Sequence, residues 1–216
     1  EGPIKSASKQ SDKGLLLRDN VYGTLAEDAA RRDLTINAMY YNPIDGSVLD
    51  QMEGQKDINA RLVRVLGDPQ TRYREDPVRM LRVVRFAAKL QFDIEAETEA
   101  AIGLCGPLLA EIPPARLFDE FLKLFMAGHG RPTLLLLLRY QLLDSLCPGA
   151  AFLIEKEPRF KTLVTQATGN TDQRVKDGRH VTPAFLLAAL LWPVVQTRAD
   201  NLVRAGEAIA QAIHSA

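Results

Sequence analysis

From Asp76 onward the apolar residues of this chain recur at helical spacing, and prolines stand at the heads of successive segments. A proline has no N–H and a φ fixed near the helical value, so it fits a first helical turn and disrupts a helix interior. Pro77, Pro114, Pro132, Pro158 and Pro183 therefore punctuate a run of helices. The pattern predicts helices over 76–90, 95–105, 114–127, 133–146, 158–168, 183–195 and 199–213. Before residue 70 the pattern is different. Residues 27–39 read as a helical turn or two followed by a short extended piece. Residues 39–41 and 48–50 flank Asn42-Pro43-Ile44-Asp45-Gly46, which predicts a β-hairpin. A short helix opens at 54–57, a short strand or helix end falls at 62–66, and 21–23 reads as a lead-in strand. Residues 1–20, rich in Lys, Ser, Gly and Asp, read as flexible. The expected fold class is α+β: a small β-containing part over 1–66, then helical parts over 67–130 and 131–216.

Charge gives no global argument for a nucleic-acid partner, because Lys plus Arg and Asp plus Glu are 27 each in 216 residues. Its distribution does. Between residues 61 and 90 there are seven arginines and Lys89 against Asp68, Glu75 and Asp76, a net of 8 minus 3, or +5. The two cysteines, Cys105 and Cys147, cannot make a thiolate metal site alone and suggest no disulfide scaffold, which fits a cytoplasmic location. The apolar runs, such as 134–138 and 184–193, are too short to span a bilayer. His129, His180 and His214 are too scattered to suggest a shared metal, and Trp192 and Phe185 read as core of an apolar helix. The chain opens on Glu1 within a polar, loop-like stretch, so it reads as a piece of a longer protein.

Three stretches carry chemistry. In 27–39, Asp33 is placed to hold the guanidinium of Arg31 or Arg32 and orient it toward a phosphate. Thr35 and Asn37 alternate with Leu34, Ile36 and Ala38, so a strand would present its polar side chains on one face, Asn37 offering its amide to phosphate or sugar. A surface ion pair beside a half-buried edge strand accounts for the same residues. In 45–64, Asp45, Asp50 and Asp57 lack the spacing of a calcium loop and read as turn and cap residues. In 72–90, Arg79, Arg82, Arg85 and Lys89 fall within about 120° of a helix, opposite Met80, Val83, Val84, Ala87, Ala88 and Leu90. Like charges so close repel unless acids or an anionic ligand neutralise them. Asp76 and Arg79, one turn apart, offer an acceptor and a donor to one object, as a nucleobase edge requires. A solvated basic face paired to acids elsewhere is the alternative.

Arg31–Met39 (RRDLTINAM), the Asp45/Asp50/Asp57 stretch and Glu75–Arg85 occur in the order found in class II template-independent RNA nucleotidyltransferases, which the chain resembles. That family contains tRNA CCA-adding enzymes and bacterial poly(A) polymerases. The wording LLLRDNVYGT at 15–24, RYREDPVRMLR at 72–82 and IPPARL at 112–117 leans to the poly(A) polymerases. The resemblance implies the end of a nucleotidyltransferase head over 1–66, a neck over 67–130 and a body over 131–216. It implies that Arg31, Arg32, Asp33 and Asn37 place ribose and phosphates, that Asp76 and Arg79 read the base with Glu75 supporting them, and that Arg82 and Arg85 contact phosphates or orient that pair. It implies ATP as substrate, an RNA 3′ end as partner, and Mg²⁺ held by a D-x-D pair. No D-x-D occurs in the 216 residues, so no catalytic or metal residue is assigned within the chain and Asp45, Asp50 and Asp57 are not promoted to that role.

Overall fold

The computed structural model describes residues 24–216 in full, together with the backbone of two short strands before them, β1 (Lys9–Gln10) and β2 (Leu16–Arg18), which pair antiparallel. That pair lies within the stretch expected to be flexible; the expected strand at 21–23 lies outside the described residues. The chain divides into two compact units, Glu1–Ile112 and Pro113–Ala216.

In the first unit, α1 (Leu25–Arg31) opens on a capping box in which Thr24 and Glu27 satisfy each other's backbone amides. Strands β3 (Met39–Tyr41) and β4 (Val48–Asp50) form the expected antiparallel hairpin, with Tyr40 opposite Leu49. Asn42 and Asp45 accept the amides of Ile44 and Ser47 within its turn. Asp50 then accepts the amides of Met52, Gly54 and Gln55, which starts α2 (Gly54–Ala60). Gly54 is obligatory there: a Cβ would lie 2.5 Å from the carbonyl oxygen of Thr35. Strand β5 (Leu62–Val63) pairs in parallel with β6 (Asp93–Ile94). Between them run α3 (Pro69–Glu75) and α4 (Val78–Leu90), and α5 (Ala96–Cys105) follows, leading into a 3-10 segment, Gly106–Glu111. Leu34, Val63, Tyr73, Met80, Leu81, Val83, Val84 and Ile102 are fully buried, each contributing about 1.5–3 kcal/mol of hydrophobic stabilisation. The Tyr73 hydroxyl donates to the carbonyl of Thr98 at 3.2 Å, so its burial leaves no polar atom stranded.

Two expectations need correction here. Residues 35–37 form a 3-10 turn rather than a strand; only Leu34 makes a β-bridge, to Val65. Local side-chain bonds explain it. The Thr35 hydroxyl is drawn to Asp57 and the Asn37 amide reaches back to Asp33, competing with a ladder. Helix α3 was not foreseen, although Asp68 caps it through the Thr71 amide at 2.8 Å and Pro69 sits in its first turn. Asp76 consequently ends α3, and Pro77 is the cap residue of α4; the Asp76 carboxylate still accepts the Val78 amide at 3.3 Å.

The second unit is helical: α6 (Pro114–Phe125), α7 (Gly130–Arg139), α8 (Ala150–Lys156), α9 (Pro158–Lys176), α10 (Pro183–Arg204) and α11 (Ile209–Ser215). Helix α7 begins at Gly130, before Pro132, because buried Asp172 accepts the amides of Gly130 and Arg131 at 2.6 and 2.8 Å. Helix α9 continues well past residue 168, and the two final segments merge up to Arg204 with Pro193 inside the helix. Phe185 and Trp192, expected in the core, are 54% and 41% exposed; Leu186 and Leu190 of the same helix take the buried positions. Cys105 and Cys147 are buried free thiols, and burial pushes the Cys147 thiol up to about 12. Among the described residues no helix is long and apolar enough to cross a membrane.

Candidate functional site

The first and third chemical stretches meet in the first unit. Asp33 follows the end of α1 and is only 9% exposed. Its Oδ2 accepts Nε of Arg82 on α4 at 2.5 Å, and its Oδ1 accepts the Asn37 amide at 3.2 Å. A contact spanning 49 residues of sequence thus replaces the expected pairing of Asp33 with Arg31 or Arg32. Burial pushes the Asp33 carboxyl up, but the hydrogen bond and charge of Arg82, with Asn37, outweigh it and hold the group below the ordinary carboxylate range. The backbone is clamped as well: the Leu66 amide donates to the Asp33 carbonyl and the Thr35 amide to that of Arg64.

Arg31 and Arg32 turn instead to Asp28, one helical turn back. Arg32 donates to Asp28 at 2.7 and 3.1 Å, Arg31 approaches it at 3.7 Å, and the Tyr40 hydroxyl completes the cluster at 2.5 Å. Tyr40 and Arg32 hold the Asp28 carboxyl below its usual value.

Sequence reasoning missed Arg72 and gave Asp57 only a turn or cap role. Arg72 donates Nη2 to the carbonyls of Arg31 and Arg32 at 3.0 and 2.7 Å and Nη1 to Glu75 at 2.9 Å. It therefore ties the segment after α1 to α3. Asp57, buried, accepts the Thr35 hydroxyl at 2.6 Å and Nε of Arg64 at 3.1 Å, anchoring the 3-10 turn that carries Asn37. The position of Arg72, three residues before Glu75 and seven before Arg79, was the available signal. For Asp57 nothing local announces a partner 22 residues away.

Arg79 departs furthest from a solvated stripe. It is 6% exposed, and its Nη1 has no hydrogen-bond partner among the described residues. Burial and the neighbouring positive charge of Arg72 lower its pKa, opposed by Asp76, Glu75 and Asp33. A buried guanidinium nitrogen without a partner is costly to the fold. Arg85 lies over the ring of Phe86, 4.9 Å from its centroid, and Lys89 is exposed. The four cations of the helix face thus have four different environments.

The model of the poly(A) polymerase head domain matches residues 3–64, and that of the probable RNA- and SrmB-binding site of polymerase A matches 91–153, together more than half of the chain. Over 204 residues the chain is 50% identical to poly(A) polymerase I of Haemophilus influenzae, covering 94% of itself and 45% of that protein. The chain belongs to the poly(A) polymerase family. It is 46% identical over 196 residues to poly(A) polymerase I of Escherichia coli O6:H1, covering 89% of itself and 42% of that protein. It thus spans less than half the length of these curated family members. The CCA-adding enzyme of Bacillus subtilis is 44% identical over 126 residues, 58% of the chain and 31% of that enzyme. Among solved structures, a tRNA nucleotidyltransferase complexed with a primer tRNA and an incoming ATP analog aligns with TM-score 0.59 and 27% identity, over 82% of the chain and 50% of that protein. A tRNA-processing enzyme with CTP aligns with TM-score 0.63 at 24% identity over 86% of the chain and 52% of that protein, which supports the α+β fold of the polymerase family.

Proposed function

We propose that the chain supplies nucleotide-recognition and RNA-binding parts of a cytoplasmic template-independent polymerase that adds AMP from ATP to RNA 3′ ends and releases pyrophosphate. The observation that carries this is Arg79: a buried guanidinium with an unpartnered nitrogen, one turn from the Asp76 carboxylate. Arg79 donates to a ring nitrogen of the base, and Asp76 accepts from its exocyclic amine. Glu75 holds Arg72 and so supports the pair. The bond from Arg82 to Asp33 favours an orienting role for Arg82, with Asn37 fixing the other carboxylate oxygen. Arg31, Arg32 and Arg85 serve ribose and phosphates. In this division 1–66 is the end of the head, 67–130 the neck and 131–216 the body.

Mg²⁺ belongs to the reaction of the intact enzyme, where it would activate the 3′-hydroxyl and stabilise departing pyrophosphate. The residues of this chain do not fit that ion: no D-x-D is present, and among the described residues no three His, Cys, Asp or Glu side chains gather. Greater identity and coverage toward poly(A) polymerase I than toward the CCA-adding enzyme support AMP addition over the second reading, CCA addition to tRNA.

The test is Arg79→Ala in the full-length polymerase. ATP preference over CTP falls more than RNA affinity does; unchanged discrimination would sink the base-reading role. Ordered addition of C before A to a tRNA by the unaltered enzyme would favour the second reading. The 216 residues alone, with RNA, ATP and Mg²⁺, incorporate no nucleotide, measured by extension of a labelled primer.

A further inference from the structure

Outside the nucleotide site, the second unit carries a cavity of about 740 Å³ at the turn between α9 and α10. Local chemistry builds it. Gly178, at φ +68°, ends α9 with two reversed bonds: its own amide to the Val175 carbonyl and that of Arg179 to the Arg174 carbonyl. The chain folds back, and Arg174 donates Nη2 to the His180 carbonyl at 3.1 Å. Arg174, Arg179, His180 and Thr182 consequently line one wall, and Phe185, in the first turn of α10, lines another. Asp177 also lies there, but it accepts the Gln173 amide at 2.8 Å and stands 4.0 Å from Nε of Arg179. Arg179 is 66% exposed, a surface pair of little energetic weight.

Phe185 also lines a second, apolar groove of about 290 Å³, with Leu163, Ala167 and Trp192. Phe185 and Trp192 are seven residues apart on α10, about 10.5 Å along its axis and on nearly one face. A cavity edged by two arginines thus shares Phe185 with a groove that also presents the exposed ring of Trp192. Cations that track a phosphate chain beside rings on which bases stack are what a single strand requires. A duplex keeps its bases paired and offers no faces to these rings. This face lies beyond residues 91–153, the region matched by the RNA- and SrmB-binding model.

We propose that the α9–α10 face binds single-stranded RNA, its phosphates against Arg174 and Arg179 and its bases on Phe185 and Trp192. The choice of RNA over DNA rests on the polymerase reading above. Trp192 is the only tryptophan of the chain, so its fluorescence reports directly. A single-stranded oligoadenylate titrated into the 216-residue chain quenches that fluorescence, and raising salt weakens the effect. Arg174→Glu with Arg179→Glu weakens binding about tenfold or more, and Phe185→Ala weakens it about fivefold or more, with the far-ultraviolet dichroism unchanged. A duplex of equal length quenches less.

Anisotropy of labelled RNA separates the outcomes. If RNA binds with the same affinity in the double-Glu chain, this face is not the site, while the polymerase reading stands. If no RNA binds the unaltered chain, the proposal is overturned, and the reading is still decided by the nucleotide preference of the Arg79 variant. If the fluorescence follows protein concentration rather than RNA, with self-association in sedimentation, a second copy covers the face and the proposal fails.

Discussion

Arg79 is buried and Arg72 and Arg82 are half-buried among Asp33, Glu75, Asp76 and backbone carbonyls of residues 1–112, whereas Arg174 and Arg179 of residues 113–216 stand in solvent at the end of a helix. The first set spends folding energy on fixed geometry, as discrimination between similar ligands demands, because a buried donor left unpaired penalises the wrong one. The second spends almost nothing and attracts charge without dictating its identity. The difference makes opposite predictions for stability and binding.

The largest effect is expected at Asp33. Asp33→Ala leaves the part-buried Arg82 charge and the Asn37 amide without their shared acceptor and lowers stability by about 3 kcal/mol in urea denaturation. Its pH dependence follows from the lowered carboxyl pKa. The contribution is fully present above the ordinary value, near 4, and is lost as pH falls through the depressed folded-state value. The stability gap between the unaltered chain and Asp33→Asn therefore narrows below about pH 4; a gap constant down to pH 2 would contradict the ion pair.

Asp172 in the second unit tests whether buried acids matter there for a different reason. Asp172→Ala leaves the Gly130 and Arg131 amides unpaired and costs about 2 kcal/mol, without any cation being involved. Arg79→Met sharpens the comparison by sign. Removing a buried charge with an unpartnered nitrogen leaves stability unchanged or raises it by about 1 kcal/mol, while base discrimination in the full polymerase falls. A loss above about 1 kcal/mol would make Arg79 structural. The smallest effect belongs to Arg179→Ala, which changes the unfolding free energy by less than about 0.5 kcal/mol but weakens RNA quenching of Trp192.

Much of the local framework was readable because its causes are local. The hairpin around Asn42–Gly46 needed only turn chemistry between two extended trios, and Pro114, Pro158 and Pro183 placed α6, α9 and α10 through the geometry of the first turn. Helix α3 was missed despite its local cap, but at two other places where reading failed a remote partner had intervened. Asp172 moved the start of α7 forward by satisfying amides 41 and 42 residues away, and Asp57 pulled Thr35 out of an extended path. Phe185 and Trp192 looked like core because their neighbours are apolar, but a helix has more than one face, and Leu186 and Leu190 took the buried one.

By itself the sequence determined the largely helical character from Asp76 onward, the hairpin, and which residue types gather at 31–37 and 75–85, since these depend on neighbours a few positions apart. Tertiary structure alone decided that Asp33 serves Arg82 rather than Arg31 or Arg32, that Arg72 binds the backbone after α1, and that Arg79 is buried with a nitrogen unspent. A helical wheel assigns four cations to one face but cannot say what lies against it. Burial and long-range hydrogen bonds turned that uniform stripe into one sequestered donor, one ion pair, one ring contact and one solvated lysine.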